Sequence, residues 1–300
     1  MVQEFPPAFT GYWRNRRRGR SEREQHSDSG CRTKNIMTKS TLPVGGYSVN
    51  PYVGCTHGCK YCYASFMKRF TGHTEPWGTF LDVKHWPAIK NPQRYKGQRI
   101  VIGSVTDGYL PQEAQFQNTR KLLEQLRGSE AEILICTKSD LVIRDIDLLK
   151  ELGKVTVSWS INTLDEGFKN DMDDAVSIKR RLDAMKQIYD AGIRTVCFIA
   201  PVFPGITDFE AIFHQVRNQC DLIWLENLNL RGGFKKTSWT IFVKNILTWF
   251  RCTTLSTTRE TEATSVVWRI KRNGWRKKTA VPSWTTSCPT AGQSLDTRSL

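Results

Sequence analysis

Nothing in the 300 residues is apolar for long enough to cross a membrane: no run approaches the roughly 20 residues that a spanning helix needs, and none opens the chain as a signal h-region. A soluble, cytoplasmic protein is therefore expected. Disulfide scaffolding has little to work with either. The 9 cysteines are an odd number spread thinly along the chain, without a dense framework, and a reducing compartment fits them better. Acidic residues are scarce, 29 Asp and Glu against 44 Lys and Arg, and the imbalance is uneven. Residues 1–46 hold 9 basic against 4 acidic side chains and residues 237–300 hold 10 against 3, whereas 47–236 hold 25 against 22. Net charge of this size invites a nucleic-acid partner, but the ends carry it and the middle is nearly neutral. With 39% hydrophobic residues, the chain can bury the core of one barrel-sized domain or two small ones.

What is present is concentrated in one stretch, Cys55-Thr56-His57-Gly58-Cys59-Lys60-Tyr61-Cys62, followed at once by Tyr63. Three thiols at C-x3-C-x2-C spacing are close enough to serve one metal centre, and Gly54 and Gly58 are available for the left-handed turns such a loop needs. Three cysteines leave a tetrahedral metal one ligand short. In an iron–sulfur cube the same shortfall leaves one iron open to bind and activate another molecule. A structural zinc would need a fourth ligand, from His57 or from Cys136, Cys197 or Cys220. A redox pair at Cys59 and Cys62 would have a third thiol beside it and no thioredoxin-like strand context.

Along the chain, residues 1–33 hold Arg14, Arg16, Arg17, Arg18, Arg20 and Arg23 among polar residues with no periodic apolar pattern, and read as a disordered basic arm. Either a nucleic-acid contact or a solvated tail fits that arm. Residues 47–53 read as a first strand that delivers the chain to the cysteine loop, and a helix with Phe66, Met67 and Phe70 is expected after it. Strands are then expected at 99–102, 132–136, 154–161, 194–199 and 221–225, each a short run rich in Ile and Val. Helical patterns lie between them, closed by Gly128, Gly153 and Gly192, with a last one opened by Thr207 and Asp208 as cap candidates. Such alternation means a parallel sheet, open or curled into a partial barrel. Polar residues follow each strand: Ser104 to Asp107, Thr137 to Asp140, Ser160 to Thr163, and Glu226 to Asn229. Parallel sheets bind ligands at the carboxyl ends of their strands, so these groups would ring one mouth beneath the cysteine loop.

Cys55-x3-Cys59-x2-Cys62, with an aromatic just before the last cysteine at the end of the first strand of such a series, resembles the radical S-adenosylmethionine (SAM) superfamily. The run from Asn50 to Tyr63, with Thr106-Asp107, Thr137-Lys138 and Ser160-Ile161-Asn162, resembles its spore photoproduct lyase-like branch. The wording of Lys34 to Lys39, Trp77 to Lys84 and Glu226 to Gly232 most resembles the group called radical SAM mobile pair protein B. The resemblance implies an α/β fold, a partial (β/α)6 TIM-type barrel over 34–236. It also implies a 4Fe-4S cluster on Cys55, Cys59 and Cys62 with SAM on the open iron, reductively cleaved to a 5′-deoxyadenosyl radical that abstracts hydrogen from a substrate. Implied SAM contacts are Tyr61 and Tyr63 against the adenosine, Thr106 at the methionine amino group, Lys138 at its carboxylate, Ser160 as a hydrogen-bonding neighbour and Asn162 near the ribose. An electron donor such as flavodoxin or ferredoxin and a second radical SAM protein encoded alongside are the implied partners, with nucleic acid a further one and no membrane. One departure stands out: where spore photoproduct lyase has its cysteine hydrogen donor, this chain has Ser104, and a serine O–H bond is too strong to give up hydrogen readily to a carbon radical.

Residues 237–300 fit none of this pattern. They hold 21 Ser or Thr together with Trp239, Trp249, Trp268, Trp275 and Trp284, and read as an irregular tail that leaves the barrel incomplete at its C-terminus. Back-translated one nucleotide early, the codons of residues 238–253 permit a helical string resembling the family's segment after Asn-Leu-Asn-Leu-Arg-Gly, so a frameshift between about Asn229 and Ser238 is an expectation to test on the coding DNA. Two other readings remain beside the enzyme: an inactive frameshifted family member, and a metal- or nucleic-acid-binding module without catalysis.

Overall fold

The computed structural model describes residues 31–40, 45–228, 265–271 and 274–277, with side chains for the first two ranges. Two short strands, β1 (Cys31–Arg32) and β2 (Thr38–Lys39), lead into β3 (Tyr47–Val49), β4 (Tyr52–Gly54) and β5 (Leu81–His85). Thereafter β6 (Arg99–Ile102), β7 (Glu132–Thr137), β8 (Val155–Ser160), β9 (Arg194–Val202) and β10 (Leu222–Asn227) alternate with helices. These are α1 (Glu113–Phe116), α2 (Asn118–Gln125), α3 (Ile146–Leu152), α4 (Glu166–Met172), α5 (Ile178–Asp190) and α6 (Phe209–Val216). Two strands beyond β10, β11 (Ser265–Lys271) and β12 (Gly274–Lys277), complete the described elements.

One sheet runs β12-β11-β10-β9-β8-β7-β6-β3-β2. Its six central strands, β3 and β6 to β10, are parallel neighbours in chain order, and the edge strands β2, β11 and β12 pair antiparallel. Six parallel strands with crossover helices form the α/β partial barrel that the alternation predicts. Every second residue of a strand faces the helices. Ile100, Ile102, Ile133, Ile135, Val157, Trp159, Cys197 and Ile199 pack there with Leu122, Leu126, Leu149, Met185, Ile188 and Ile212 in one core. The other face carries Cys136 and Ser158, paired in register across β7 and β8, with Lys138 and Ser160 one step nearer the carboxyl ends.

Where the structure departs from the expected boundaries, local chemistry explains it. Residues 47–53 are not one strand: β3 joins the barrel, whereas β4 pairs antiparallel with β5 in a separate sheet. Between them Pro51 has no N–H to give a ladder, and the Asn50 side-chain carbonyl accepts from the N–H groups of Val105 at 2.9 Å and Thr106 at 3.1 Å. The helix expected after Cys62 is present as a 3-10 helix, Tyr63–Phe70. At α6 the cap is Asp208, whose carboxylate accepts from the Ala211 N–H at 2.9 Å; Thr207 instead donates to the Asn162 carbonyl at 2.8 Å. In the stretch read as an irregular tail, β11 and β12 form an antiparallel hairpin on β10, consistent with the β-branched and aromatic run Val266-Val267-Trp268 and with Ile270. Of the arm expected to be disordered over 1–33, Cys31 and Arg32 instead form β1, paired parallel with β5; residues 1–30, and the range in which the frameshift is expected, lie outside the described residues.

Candidate active site at the barrel mouth

The cysteine loop leaves β4 through Gly54 at φ 82° and turns again through Gly58 at φ 57°. Both positions are crowded as well as left-handed: a Cβ at Gly54 would stand 2.3 Å from the Phe80 carbonyl oxygen, and one at Gly58 would stand 2.8 Å from Asp174 Oδ2. The loop is pinned to the end of α4 by backbone bonds, Lys60 N–H to the Met172 carbonyl at 2.9 Å and Asp174 N–H to the His57 carbonyl at 2.7 Å. A side-chain bond from the Lys60 ammonium to the Asp171 carbonyl adds to these.

A buried carboxylate ties the same loop to the strand ends. Asp107 meets His57 Nε2 at 3.0 Å, and accepts from Thr137 Oγ1 at 2.8 Å, the Lys138 N–H at 2.7 Å and the Tyr109 N–H at 2.8 Å. Burial alone would raise the pKa of this carboxyl, but His57 and the N–H donors outweigh it and hold Asp107 below the ordinary range. On the loop's other side the Tyr61 hydroxyl donates to Asp173 Oδ2 at 3.1 Å, and Asp173 Oδ1 accepts from the fully buried Arg181 at 2.7 Å.

The three thiols are neighbours that feel one another's charge. Burial pushes the Cys55 thiol up to about 12, against the pull of the Asp107 and His57 backbone N–H groups that reach its sulfur. Cys59 is also raised by burial, against the positive charge of Lys138. Buried sulfurs served by N–H donors and a cation suit an anionic metal–sulfur group, whose negative charge such partners stabilise. Among the described residues no three His, Cys, Asp or Glu side chains gather round a point as a single ion requires. A cube asks for neighbouring thiolates, since each binds its own iron.

Each residue expected at the site has a definite place. Lys138 lies beside the loop, its Nζ 5.6 Å from the Tyr61 ring centroid and without a hydrogen-bond or ion-pair partner among the described residues. Burial would strip its proton more easily, but Cys59 and Asp173 hold its pKa above the usual lysine value, so the ammonium stays charged. Asn162 is buried and its Nδ2 has no hydrogen-bond partner among the described residues. Thr106 is buried beside Asp107 with its N–H on Asn50, and the Ser160 carbonyl accepts from Arg181 at 3.1 Å. Tyr63 is 53% exposed, and its hydroxyl donates to the Ser104 carbonyl. Tyr61 turns inward to an edge-on contact with Phe203 at 5.6 Å, in a cluster with Phe168 and Met172. The hydroxyl of Ser104 is engaged by Ser48 Oγ at 2.5 Å and Asn50 Nδ2 at 3.3 Å.

Asp107 and Asp173 organise the site, and spacing did not single them out. Asp107 was legible only as part of Thr106-Asp107 at a strand end, and Asp173 sits in an ordinary acidic run, Asp171-Met172-Asp173-Asp174. Glu226 was legible as a strand-end acid. It is half-buried at the end of β10, has no hydrogen-bond or ion-pair partner among the described residues, and has its pKa raised by burial.

A sequence profile described as the radical SAM superfamily matches residues 49–215. An uncharacterized protein of Methanocaldococcus jannaschii is 35% identical over 204 residues, 67% of this chain and 78% of that one. A protein of Pseudomonas phage M6 described as a radical SAM Nα-GlyT isomerase is 27% identical over 198 residues, 64% of this chain and 39% of its own length. Among solved structures, a spore photoproduct lyase variant with bound AdoMet and dinucleoside spore photoproduct superposes with a TM-score of 0.52 at 16% identity, over 83% of this chain and 73% of that one. At that identity the likeness is one of fold.

Proposed function

The chain belongs to the radical SAM superfamily, and from that membership we propose an enzyme that holds a 4Fe-4S cluster on Cys55, Cys59 and Cys62 and binds SAM at the barrel mouth. When bound, that pair supplies a one-electron reductive cleavage of SAM to methionine and a 5′-deoxyadenosyl radical able to take hydrogen from a substrate. Beside the three-cysteine loop itself, the reading is supported by the charged ammonium of Lys138, which has no hydrogen-bond or ion-pair partner among the described residues, and by the buried Asn162 Nδ2, which with His57 Nδ1 and Ser158 Oγ is without a hydrogen-bond partner among them. An unpartnered buried donor costs about 1–3 kcal/mol, and a ligand that accepts from it relieves that cost.

Lys138 provides the cation for the methionine carboxylate and Asn162 the donor for the ribose, with Ser160 between them in chain order. Thr106, at the turn that Asn50 and Asp107 hold in place, serves the methionine amino group. Tyr63 offers its ring at the open mouth to the adenosine. Tyr61 is given a positioning role, tying the loop to Asp173 and covering the cluster side from water. Electron donation by a flavodoxin or ferredoxin, and action beside a second radical SAM protein, belong to the same proposal. Repair of a thymine photoproduct by hydrogen transfer from Ser104 does not, because the Ser104 hydroxyl bond is strong and its oxygen already bonds Ser48 and Asn50.

Anaerobic reconstitution with iron and sulfide, then reduction by dithionite with SAM, is expected to yield 5′-deoxyadenosine in the full chain and none in Cys59→Ala. A chain that holds zinc but takes up no iron, or that loads iron and sulfide yet never cleaves SAM, would overturn the proposal.

A further inference from the structure

The 3-10 turn that follows the last cysteine of the loop has a surface that cluster and SAM binding do not use. In a 3-10 helix residues three apart eclipse, so Tyr63, Phe66 and Arg69 stack along one edge at about 6 Å intervals, while Phe70 ends the neighbouring edge that begins at the buried Ala64 and is joined to the first only through Arg69. Phe66 is 49% and Phe70 66% exposed, a large apolar area to leave in water within one short turn. The Arg69 guanidinium lies 4.6 Å from the Phe70 ring centroid and 5.6 Å from that of Phe66, with no acidic partner among the described residues. Residues 55–74 contain Lys60, Lys68 and Arg69 and no Asp or Glu. The ridge starts at the mouth, where the Tyr63 hydroxyl is held by the Ser104 carbonyl.

We propose that Phe66, Arg69 and Phe70 form a platform for unpaired nucleotides of a single-stranded nucleic acid, lying beside the barrel mouth. Exposed aromatic faces with an interleaved cation are what such a strand requires: bases stack on the rings and on the guanidinium plane, and phosphates meet the Arg69 charge, which no acidic side chain neutralises among the described residues. A rigid short helix keeps the rings spaced at low entropic cost. A partner with an acidic protein surface would use the cations but would not require open rings. Binding does not depend on the radical chemistry. Only the presentation of a bound nucleotide to the mouth rests on the function proposed above.

The test is fluorescence anisotropy of the full chain with labelled 12-nucleotide single-stranded DNA and RNA and the matching duplex, at low and moderate salt. Removing both rings in F66A/F70A is expected to weaken single-strand binding by about tenfold per ring, with little change in the salt slope. R69A should lower both affinity and slope, and F66Y/F70Y should restore binding. These residues are at the surface, and circular dichroism with iron content after reconstitution checks that fold and loop survive. Three results would overturn the proposal: no measurable binding by the unaltered chain at low salt, single-strand affinity unchanged in F66A/F70A, or loss of reduction by flavodoxin in F66A/F70A while oligonucleotide affinity stays the same. The second would place binding in the basic ends of the chain, and the third would assign the face to the electron donor. Failure to cleave SAM leaves the anisotropy result intact, so the two proposals fail separately.

Discussion

Lys138 is where the residue chemistry of the site is sharpest. Its backbone N–H is fixed by Asp107 at 2.7 Å, so the strand end cannot drift, while its ammonium, beside Cys59 and the Tyr61 ring, has no hydrogen-bond or ion-pair partner among the described residues. A fixed stem with a free cation is a receptor for a carboxylate. Lys138→Ala is expected to weaken SAM binding by tenfold or more, about 1.4 kcal/mol or above, with iron and sulfide content unchanged, and Lys138→Arg to recover part of the loss. Equilibrium dialysis of SAM against reconstituted protein checks this, and iron lost together with SAM affinity would show a structural role instead. The cysteines were legible because their spacing alone encodes one loop. Asp107 was not, because a lone acid after a strand has the same signature whether it caps a turn or braces the cysteine loop. Only its convergence with His57, Thr137 and Tyr109 separates the two.

At the scale of elements, the cysteine loop is held by close approach more than by its own regular structure. Gly54 stands against the Phe80 carbonyl and Gly58 against Asp174, both at positive φ. Gly54→Ala combines left-handed strain of about 1–3 kcal/mol with a backbone clash that no rotamer relieves. It is expected to lower the melting temperature and to abolish iron uptake, whereas Gly72→Ala, at φ 75° but with open space around it, should be destabilised by strain alone and keep its iron. Melting curves and iron analysis separate the two. The glycines were legible as turn formers, and their crowding was not, since Phe80 and Asp174 arrive from distant positions in the chain. The break at Asn50 and Pro51 was likewise hidden, because a run such as Tyr47-Ser48-Val49 continued by Tyr52-Val53 has the composition of one strand.

Across the molecule, buried charges join elements far apart in sequence. Asp173 couples the cysteine loop through Tyr61 to α5 through Arg181, with Lys169 3.6 Å away. Beneath them Arg144 bridges Glu113 at 2.7 Å and Asp145 at 2.9 Å, and Arg120 meets Asp145 at 2.8 Å. Burial would raise the pKa of Asp173, but Arg181, Lys138 and Lys169 hold it below the ordinary 3.8. A carboxyl depressed in the folded state contributes stability that is complete above its unfolded pKa and is lost as pH falls through the folded one. Asp173→Asn, which strands Arg181, is expected to cost about 3–5 kcal/mol at pH 7. It should also flatten the fall in melting temperature below about pH 4, and thermal melts at a series of pH values measure both. Equal acid slopes in the two proteins would remove Asp173 as the titrating group. The sequence by itself determined the three-cysteine loop, the alternation of parallel strands and crossover helices, and the polar ends of the strands, because spacing, period and turn residues are local properties. The tertiary structure decided which acids brace the loop, which glycines cannot change, and which polar groups remain unpartnered, because burial, close approach and charge coupling exist only once distant segments meet.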